Sequence, residues 1–517
     1  MADSPTEIAA APRVMRKDAT RRQIRGSSLL LSGRLLSVGL NFVSQVLIVR
    51  HLATGDYGAW AYALSVVSFC QGFATLGLDR AISRFIPIYH EKGEYDKLFG
   101  TMVLVFGVIL LTSALIIGAF FAAPELVARL MAEGKASFPL LAVLIFLIPV
   151  EVLDGVFLGL FASFANARSI FFRKHVLGPL LKLTVVVLLM VFGSDVLFLA
   201  YGYLAASLLG VLIYLVLFVR MLRRENLLGR WRESGLVVPL RAVFAFTLPM
   251  MTSDLLSVVM HSADVLLLGY FHDATQVAYY RVVLPAAKLN AIVMNSFALL
   301  FTPTAARLFA KGDHAGINAL YWKTAIWLAV LSFPVFALTF SIAGPLTVFL
   351  YGERYQQSGL ILALLSLGYY FNAALGFNGL TLKVIGRMGY IVRINLAAAL
   401  FNVIINLLLI PRHGALGAAV GTAGTMILHN IFKQIGLRLA AGVSLFEKSY
   451  LSFYLLLAAS ACGLFVLPFL VATNFYIAAA LAAMISLLVI LVSKKRLHIA
   501  ENFPELLKLP LLGKLLR

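Results

Sequence analysis

Four basic residues, Arg34, Lys182, Arg281 and Lys288, stand inside apolar runs long enough to cross a lipid bilayer. A cation at the centre of a bilayer helix costs about 2.5–3.5 kcal/mol even on a lenient insertion scale, so such a residue should face protein or a water-filled cavity. Around Arg34 the spacing carries more. Ser37, Asn41 and Gln45 follow at intervals of three, four and four, which puts all four residues on one helical face. That stripe reads as a cavity lining; the competing reading is that Arg34, about two turns into its helix, snorkels to the nearer surface. Asp254, Ser257, His261 and Asp264 share one face of a later apolar run, and Arg281, Lys288 and Asn295 share one face of the next. Counted from the polar link at 270–275, Asp264 and Arg281 lie at matching depth, with His261 or Asp254 roughly opposite Lys288. Pairing across antiparallel neighbours is therefore expected, and ion pairs that only hold helices together are the bland alternative.

Glu151 and Asp154, three residues apart beside Pro149, place two acids in the middle of another run. They either bind a cation or proton, with Na+ or H+ as the coupling ion, or balance Lys182 of the following run. His261 has no second His or Cys at ligand spacing, and Cys70 and Cys462 both lie inside apolar segments, so neither a metal site nor a disulfide framework is expected. Asn395, Asn402 and Asn406 form one more single-faced stripe, read first as amide bridging between helices and second as cavity lining. Basic groups in a polar lumen suit an anionic cargo such as a phosphate, whose oxygens arginine holds in bidentate fashion. Nothing equips the chain as an enzyme, and no cofactor is expected. It has no G-x-x-x-x-G-K-[ST] loop for ATP, and its longest outer link, some fifteen residues around Pro124 to Ala136, is short for presenting catalytic groups.

The elements that must carry these residues are membrane helices. With 517 residues, 61% hydrophobic and only 13% charged, the chain is too apolar for a soluble protein of its size. At roughly 20 apolar residues per crossing, fourteen spans are expected, starting near Ser27, Tyr57, Gly100, Phe138, Val176, Leu197, Arg241, Gln276, Tyr321, Ser358, Ile391, Gly414, Ser449 and Asn474. Of the 43 Lys and Arg, 34 fall in the termini and the links after even-numbered spans, and five (Arg50, Arg129, Lys135, Arg354 and Arg412) on the opposite side. Such a bias places both termini in the cytoplasm. It also explains the net charge of +20 without nucleic acid, because the basic residues are dispersed through short links rather than gathered on one face.

The sequence repeats itself at an offset of 219. Lys92-Gly93-Glu94 returns as Lys311-Gly312-Asp313, Ala59-Trp60 as Ala278-Tyr279, and Leu47 as Leu266. If the repeated unit is six spans, an even number, both halves enter the membrane the same way and are related by a twofold axis along its normal, the plan of a transporter. The expected organisation is a basic cytoplasmic N-terminus (1–26), an N-lobe (27–220), a connector (221–240), a C-lobe (241–440), an uncharged, lipid-facing pair of extra spans (449–493) and a basic tail (494–517). The end of the tail, 502–517, either lies on the membrane surface or is simply solvated.

Gly33-Arg34, then Arg50-His51-Leu52, then Asp56-Tyr57-Gly58-Ala59-Trp60, then Gly77-Leu78-Asp79-Arg80-Ala81-Ile82-Ser83-Arg84-Phe85 together resemble the N-terminal signature of the polysaccharide flippases. These form the Wzx-type, or polysaccharide-transporter, branch of the multidrug/oligosaccharidyl-lipid/polysaccharide (MOP) exporter superfamily. Asn406-Leu407-Leu408-Leu409-Ile410-Pro411 with Gly414-Ala415-Leu416-Gly417-Ala418-Ala419 is similar to that family's turn between spans eleven and twelve. The resemblance implies an all-α fold of two six-helix lobes plus two extra helices, in a bacterial or archaeal cytoplasmic membrane. It implies a flippase that moves an undecaprenyl-pyrophosphate-linked oligosaccharide to the outer leaflet by alternating access, alongside membrane lipids and glycan polymerase or assembly proteins. Arg34, Asn41, Gln45, Arg281 and Lys288 are then the candidate cargo-binding residues, and Glu151, Asp154, Asp254, His261 and Asp264 the candidates for ion coupling or charge balance. Lipid II flippases and multidrug antiporters are the competing relatives, and a noncatalytic scaffold of a glycan assembly complex is the competing class.

Overall fold

The computed structural model describes residues 13–125, 134–470 and 475–497. The tail at 502–517 and Arg129 lie outside them. Every regular element among the described residues is helical. We number the main helices α1 (Arg13–His51), α2 (Thr54–Thr75), α3 (Leu78–Lys92), α4 (Tyr95–Ala122), α5 (Gly134–Leu144), α6 (Leu147–Ser163), α7 (Ala167–Ile170), α8 (Gly178–Phe192), α9 (Val196–Arg224), α10 (Leu227–Glu233) and α11 (Leu240–Phe271). They continue as α12 (Ala274–Lys288), α13 (Ile292–Ala310), α14 (His314–Phe336), α15 (Ala343–Tyr351), α16 (Ser358–Ala374), α17 (Asn378–Val384), α18 (Met388–Ala441), α19 (Leu451–Leu470) and α20 (Phe475–Leu497). Twelve helical segments are long and apolar enough to cross a bilayer, thirteen if the bent pair α2–α3 is one crossing. The protein is thus a multi-pass membrane protein. The expected eleventh and twelfth spans correspond to the two arms of α18, which are counted as one segment here but part at Gly414.

The offset of 219 holds in the helices themselves. α4 begins at Tyr95 and α14 at His314, the preceding Gly93 and Gly312 both take left-handed φ (71° and 69°), and the spans at Tyr95–Ala122 and His314–Ser341 share one length. Only glycine adopts that conformation without strain, which is why Lys-Gly-acid recurs as a helix stop.

By contact, the chain divides into two compact units, 1–48 with 70–122 and 140–251, and 49–69 with 123–139 and 252–517. Among the described residues, 49–69, 123–125 and 134–139, from the first half of the repeat, therefore belong to the second unit. In the first unit α3 packs on α4 and α6, and α6 on α9, around Ile82, Ile86, Leu98, Val105, Phe161 and Tyr214, each at most 1% exposed. Rings from α6 and α9 interlock there, with Phe161 and Tyr214 at 5.2 Å.

In the second unit the core forms around α14, α16 and the turn at Ala337–Ser341, where Phe336 stacks on Tyr370 at 4.0 Å. The extra pair α19–α20 is anchored in this core by Phe453, Leu457, Ala461, Leu464, Ala482 and Val489. Its other side, with Leu455, Tyr476, Leu488 and Val492, stays exposed, so only part of the pair fits the lipid-facing role expected of it. The ends of α1 and α15 are tied by exchange: Arg354 donates to the carbonyls of Val49 (2.5 Å) and Arg50 (2.9 Å), while Arg50 donates to those of Leu350 (2.8 Å) and Phe349. Each arginine satisfies carbonyls that the other helix end leaves open.

α18 holds 54 residues, about 80 Å if straight, which is far more than one crossing. It breaks at Gly414 (φ 52°, ψ −132°), and its two arms, 388–413 and 414–441, fold back on each other. Tyr390 donates to the Phe432 carbonyl, His429 bonds Asn395, and Asn402 donates to Thr425. A break in a helix strands backbone groups that its own ladder no longer satisfies. Here His272 donates to the Ile410 carbonyl (2.7 Å) and Gln276 accepts from the Ala415 N–H (3.0 Å). His272→Ala and Gln276→Leu should each destabilise the protein by about 1–3 kcal/mol, read as a lowered melting temperature in detergent, whereas Gly39→Ala, whose new methyl meets open space, should leave it unchanged.

Candidate functional site

A cavity of about 600 Å³ in the second unit is built between α11, α12, α13, α16, α17 and α18. Asp273 starts α12 by accepting from the Gln276 N–H (3.0 Å), and the helix then presents Arg281 and Lys288 to the cavity. Seven residues separate them, roughly 10 Å along the axis. Lys383 enters from α17, and Lys433 from the second arm of α18, its stem passing Gly379. Between these cations run amides. Asn378 donates to Asn430 (3.0 Å), Asn430 donates to Asn372 (3.0 Å), and Asn395 and His429 are bonded at 2.9 Å. Four formal positive charges thus face one carboxylate, Asp264, with neutral hydrogen-bonding groups between them.

Asp264 does not answer those cations. It is 3% exposed, and all four of its hydrogen bonds come from neutral donors: Tyr280 and Thr422 to one oxygen (2.7 Å each), Asn406 (2.5 Å) and Asn402 (3.5 Å) to the other. The pairing of Asp264 with Arg281 expected from equal depth is therefore corrected. Tyr280, one position away and about 100° around the helix, is the residue that meets the acid. Among the described residues no carboxylate comes within ion-pair distance of Arg281, Lys288, Lys383 or Lys433.

The first unit holds a smaller polar cavity, about 180 Å³, where acids and cations do pair. α6 supplies Glu151 and Asp154. A π-helical turn, Phe171–Leu177, links α7 to α8 and supplies Arg173 and Lys174, and α8 supplies Lys182. Arg173 bonds Asp154 (2.5 Å) and donates to the Gly210 carbonyl (2.8 Å), with its guanidinium 5.0 Å above the Tyr214 ring. Gly210 is required there, because a Cβ would sit 1.9 Å from a guanidinium nitrogen. Lys182 meets Glu151 at 3.4 Å and the Tyr203 ring at 5.3 Å. Asn41 reaches this cavity from α1.

The structure thus gathers Arg281, Lys288, His261, Asp264, Asn295, Asn395 and Asn402 around one cavity and Asn41, Glu151, Asp154 and Lys182 around another. Arg34 is exposed and lines neither; Ser37 beside it bonds His175 of the π turn (3.2 Å). Gln45 and Asp254 are partly buried and also line neither. His261 is exposed and bonds the Ser257 carbonyl (2.6 Å). No group of three or more metal-type ligands occurs among the described residues. Four cations escaped the sequence reading. Lys383, Lys433, Arg173 and Lys174 stand where apolar runs fade into basic links, and the count of links absorbed them.

The fold is that of MOP-superfamily exporters. A lipid II flippase, MurJ, in an inward closed conformation matches with TM-score 0.71 over 92% of this chain and 99% of its own at 14% identity. An inward-facing MATE multidrug transporter matches with TM-score 0.61 over 79% and 94% at 15% identity. Residues 24–309, more than half of the sequence, match the model of the polysaccharide biosynthesis protein family, and the chain belongs to that family. Curated relatives include an uncharacterized membrane protein of Methanocaldococcus jannaschii, 24% identical over 80% of this chain and 83% of its own. The succinoglycan biosynthesis transport protein ExoT of Rhizobium meliloti is 24% identical over 69% and 67%.

Asp264→Ala orphans several buried donors, each worth about 1–3 kcal/mol, and should lower the melting temperature by clearly more than Asp264→Asn, which keeps one acceptor oxygen. In the first unit, Gly210→Val should evict the Arg173 guanidinium and destabilise at least as much as Arg173→Ala, by the same thermal measurement.

Proposed function

We propose that the protein is a flippase that carries a lipid-linked oligosaccharide across the cytoplasmic membrane, from the inner to the outer leaflet, by alternating access of two lobes. The observation that carries this reading is the cavity with Arg281, Lys288, Lys383 and Lys433 in it and no acid paired to any of them among the described residues. Arg281 and Lys288, within apolar runs and without an acid partner among the described residues, carry a standing cost, and an anionic passenger such as a pyrophosphate repays it by bidentate and charge-assisted bonds. The amides between them suit sugar hydroxyls. Family membership and the transport protein ExoT among the relatives support a saccharide cargo, and a fold shared with a lipid II flippase is in keeping with a lipid-linked one.

In this reading Arg281 and Lys288 grip the head group, and Arg34, Asn41 and Gln45 are further candidate cargo contacts. The grip is moderate, since a ligand held equally in both states shifts neither. Glu151, Asp154, Asp254, His261 and Asp264 are the candidates for coupling to Na+ or H+ or for easing release by competing for the cations. Both termini face the cytoplasm, and glycan polymerase or assembly proteins are the expected neighbours.

Charge reversal tests it. In a strain lacking its own exporter, Arg34→Glu, Arg281→Glu and Lys288→Glu should each reduce glycan export at least about tenfold, the order of one charge-assisted contact, while the protein still reaches the membrane. Lys383→Glu and Lys433→Glu should behave alike. Full export by all of these variants would remove the assignment.

A further inference from the structure

A second basic site lies on the same bent helix, away from the amide-lined cavity. Near the ends of the two α18 arms remote from Gly414 opens a groove of about 360 Å³, lined by Arg387, Arg393 and Tyr390 on one side and by Gly436 and Leu439 on the other. Both arginines are exposed. Neither meets a carboxylate among the described residues, and no acid lines the groove. The hydrogen bond recorded for Arg393 runs to the Gly389 carbonyl of its own helix at 3.4 Å, a long and weak one. The groove is open to main chain: beside Gly386 and Gly389, both in the lining, a Cβ would meet nothing within 4 Å. Its wall is fixed, because Tyr390 lies on Gly436, where a Cβ would come within 2.1 Å of the ring, and its hydroxyl donates to the Phe432 carbonyl (2.7 Å).

What borders the groove says what fills it. From Arg393 toward Gly414, Val392, Leu396 and Leu400 form an exposed apolar stripe at four-residue spacing, and Leu439, Ile435 and Ile431 form a second one on the other arm. Leu400 is 56% and Leu439 78% exposed. A free phosphate would use the arginines and leave both stripes idle. A two-chain phospholipid uses everything present: its phosphate against two guanidiniums, its chains along two apolar tracks. In the orientation given by the distribution of basic residues this end of the arms lies at the cytoplasmic boundary, where anionic lipid collects.

We propose that this groove is a binding site for an anionic phospholipid of the cytoplasmic leaflet, with Arg387 and Arg393 holding the phosphate and the two α18 stripes holding the acyl chains. It does not depend on what the cavity transports.

Native mass spectrometry of the full-length protein in detergent, titrated with phosphatidylglycerol, phosphatidylcholine and soluble glycerol phosphate, reads the site directly. Phosphatidylglycerol should bind preferentially, and Arg387→Gln/Arg393→Gln should weaken it by about thirtyfold, the expectation for two interfacial arginines. Gly389→Leu, which keeps both charges but fills the groove, should weaken it as well and covers the case in which the double variant does not fold. Arg281→Gln/Lys288→Gln should leave it unchanged. Equal phosphatidylglycerol binding by the wild type and by the Arg387/Arg393 and Gly389 variants would overturn the assignment, as would glycerol phosphate binding as tightly as the lipid, which marks a free-anion site. Loss in the Arg281/Lys288 variant would instead place the lipid in the cavity.

Discussion

Hydrocarbon does not solvate charge, and this protein's interior is organised around that fact. An ion removed from water needs either an opposite charge with good geometry or enough neutral donors to fill its lone pairs. The first unit uses the former, closing Asp154 on Arg173 and Glu151 on Lys182. The second uses the latter, surrounding Asp264 with two hydroxyls and two amides. Since Asp264 is satisfied by neutral groups, the cations in its cavity are left without a carboxylate partner among the described residues. The same rule governs the backbone, where His272 and Gln276 satisfy groups released by the break at Gly414.

Duplication then sets the scaffold but not the chemistry. Helix starts, glycine stops and the length of the span that opens at Tyr95 recur 219 residues on. The charged positions do not: the π turn that inserts Arg173 has no counterpart after α17, and the cation pair Arg281 and Lys288 none in α2. π turns commonly mark places where function has been inserted into a helix. Shared architecture with separate polar equipment lets one unit be internally neutralised while the other stays receptive.

Much of this was legible in the sequence. Apolar run length gave the helical membrane fold, the Lys-Gly-acid repeat gave the duplication, and the expected span start at Gly414 coincides with the break in α18. Arg281 and Lys288 were legible because nothing near them in sequence is polar enough to explain them otherwise. Lys383 and Lys433 were not, because a lysine at the edge of an apolar run looks the same whether it reaches into solvent or back into a cavity; only the fold of α16–α18 decides. The neighbourhood of Asp264 was missed for a different reason. Matching acids to bases by depth ignores Tyr280, Thr422 and the amides, which serve an anion as well as a cation does and carry no charge to betray them.

The exchange between Arg50 and Arg354 bears on how the topology itself is read. Charge bias orients a membrane protein because basic side chains resist translocation. A guanidinium whose donors are already spent on helix-end carbonyls is a rivet of the folded state, and its location reports local architecture rather than threading. Arg50 and Arg354, two of the five exceptions to the expected bias, are rivets of this sort.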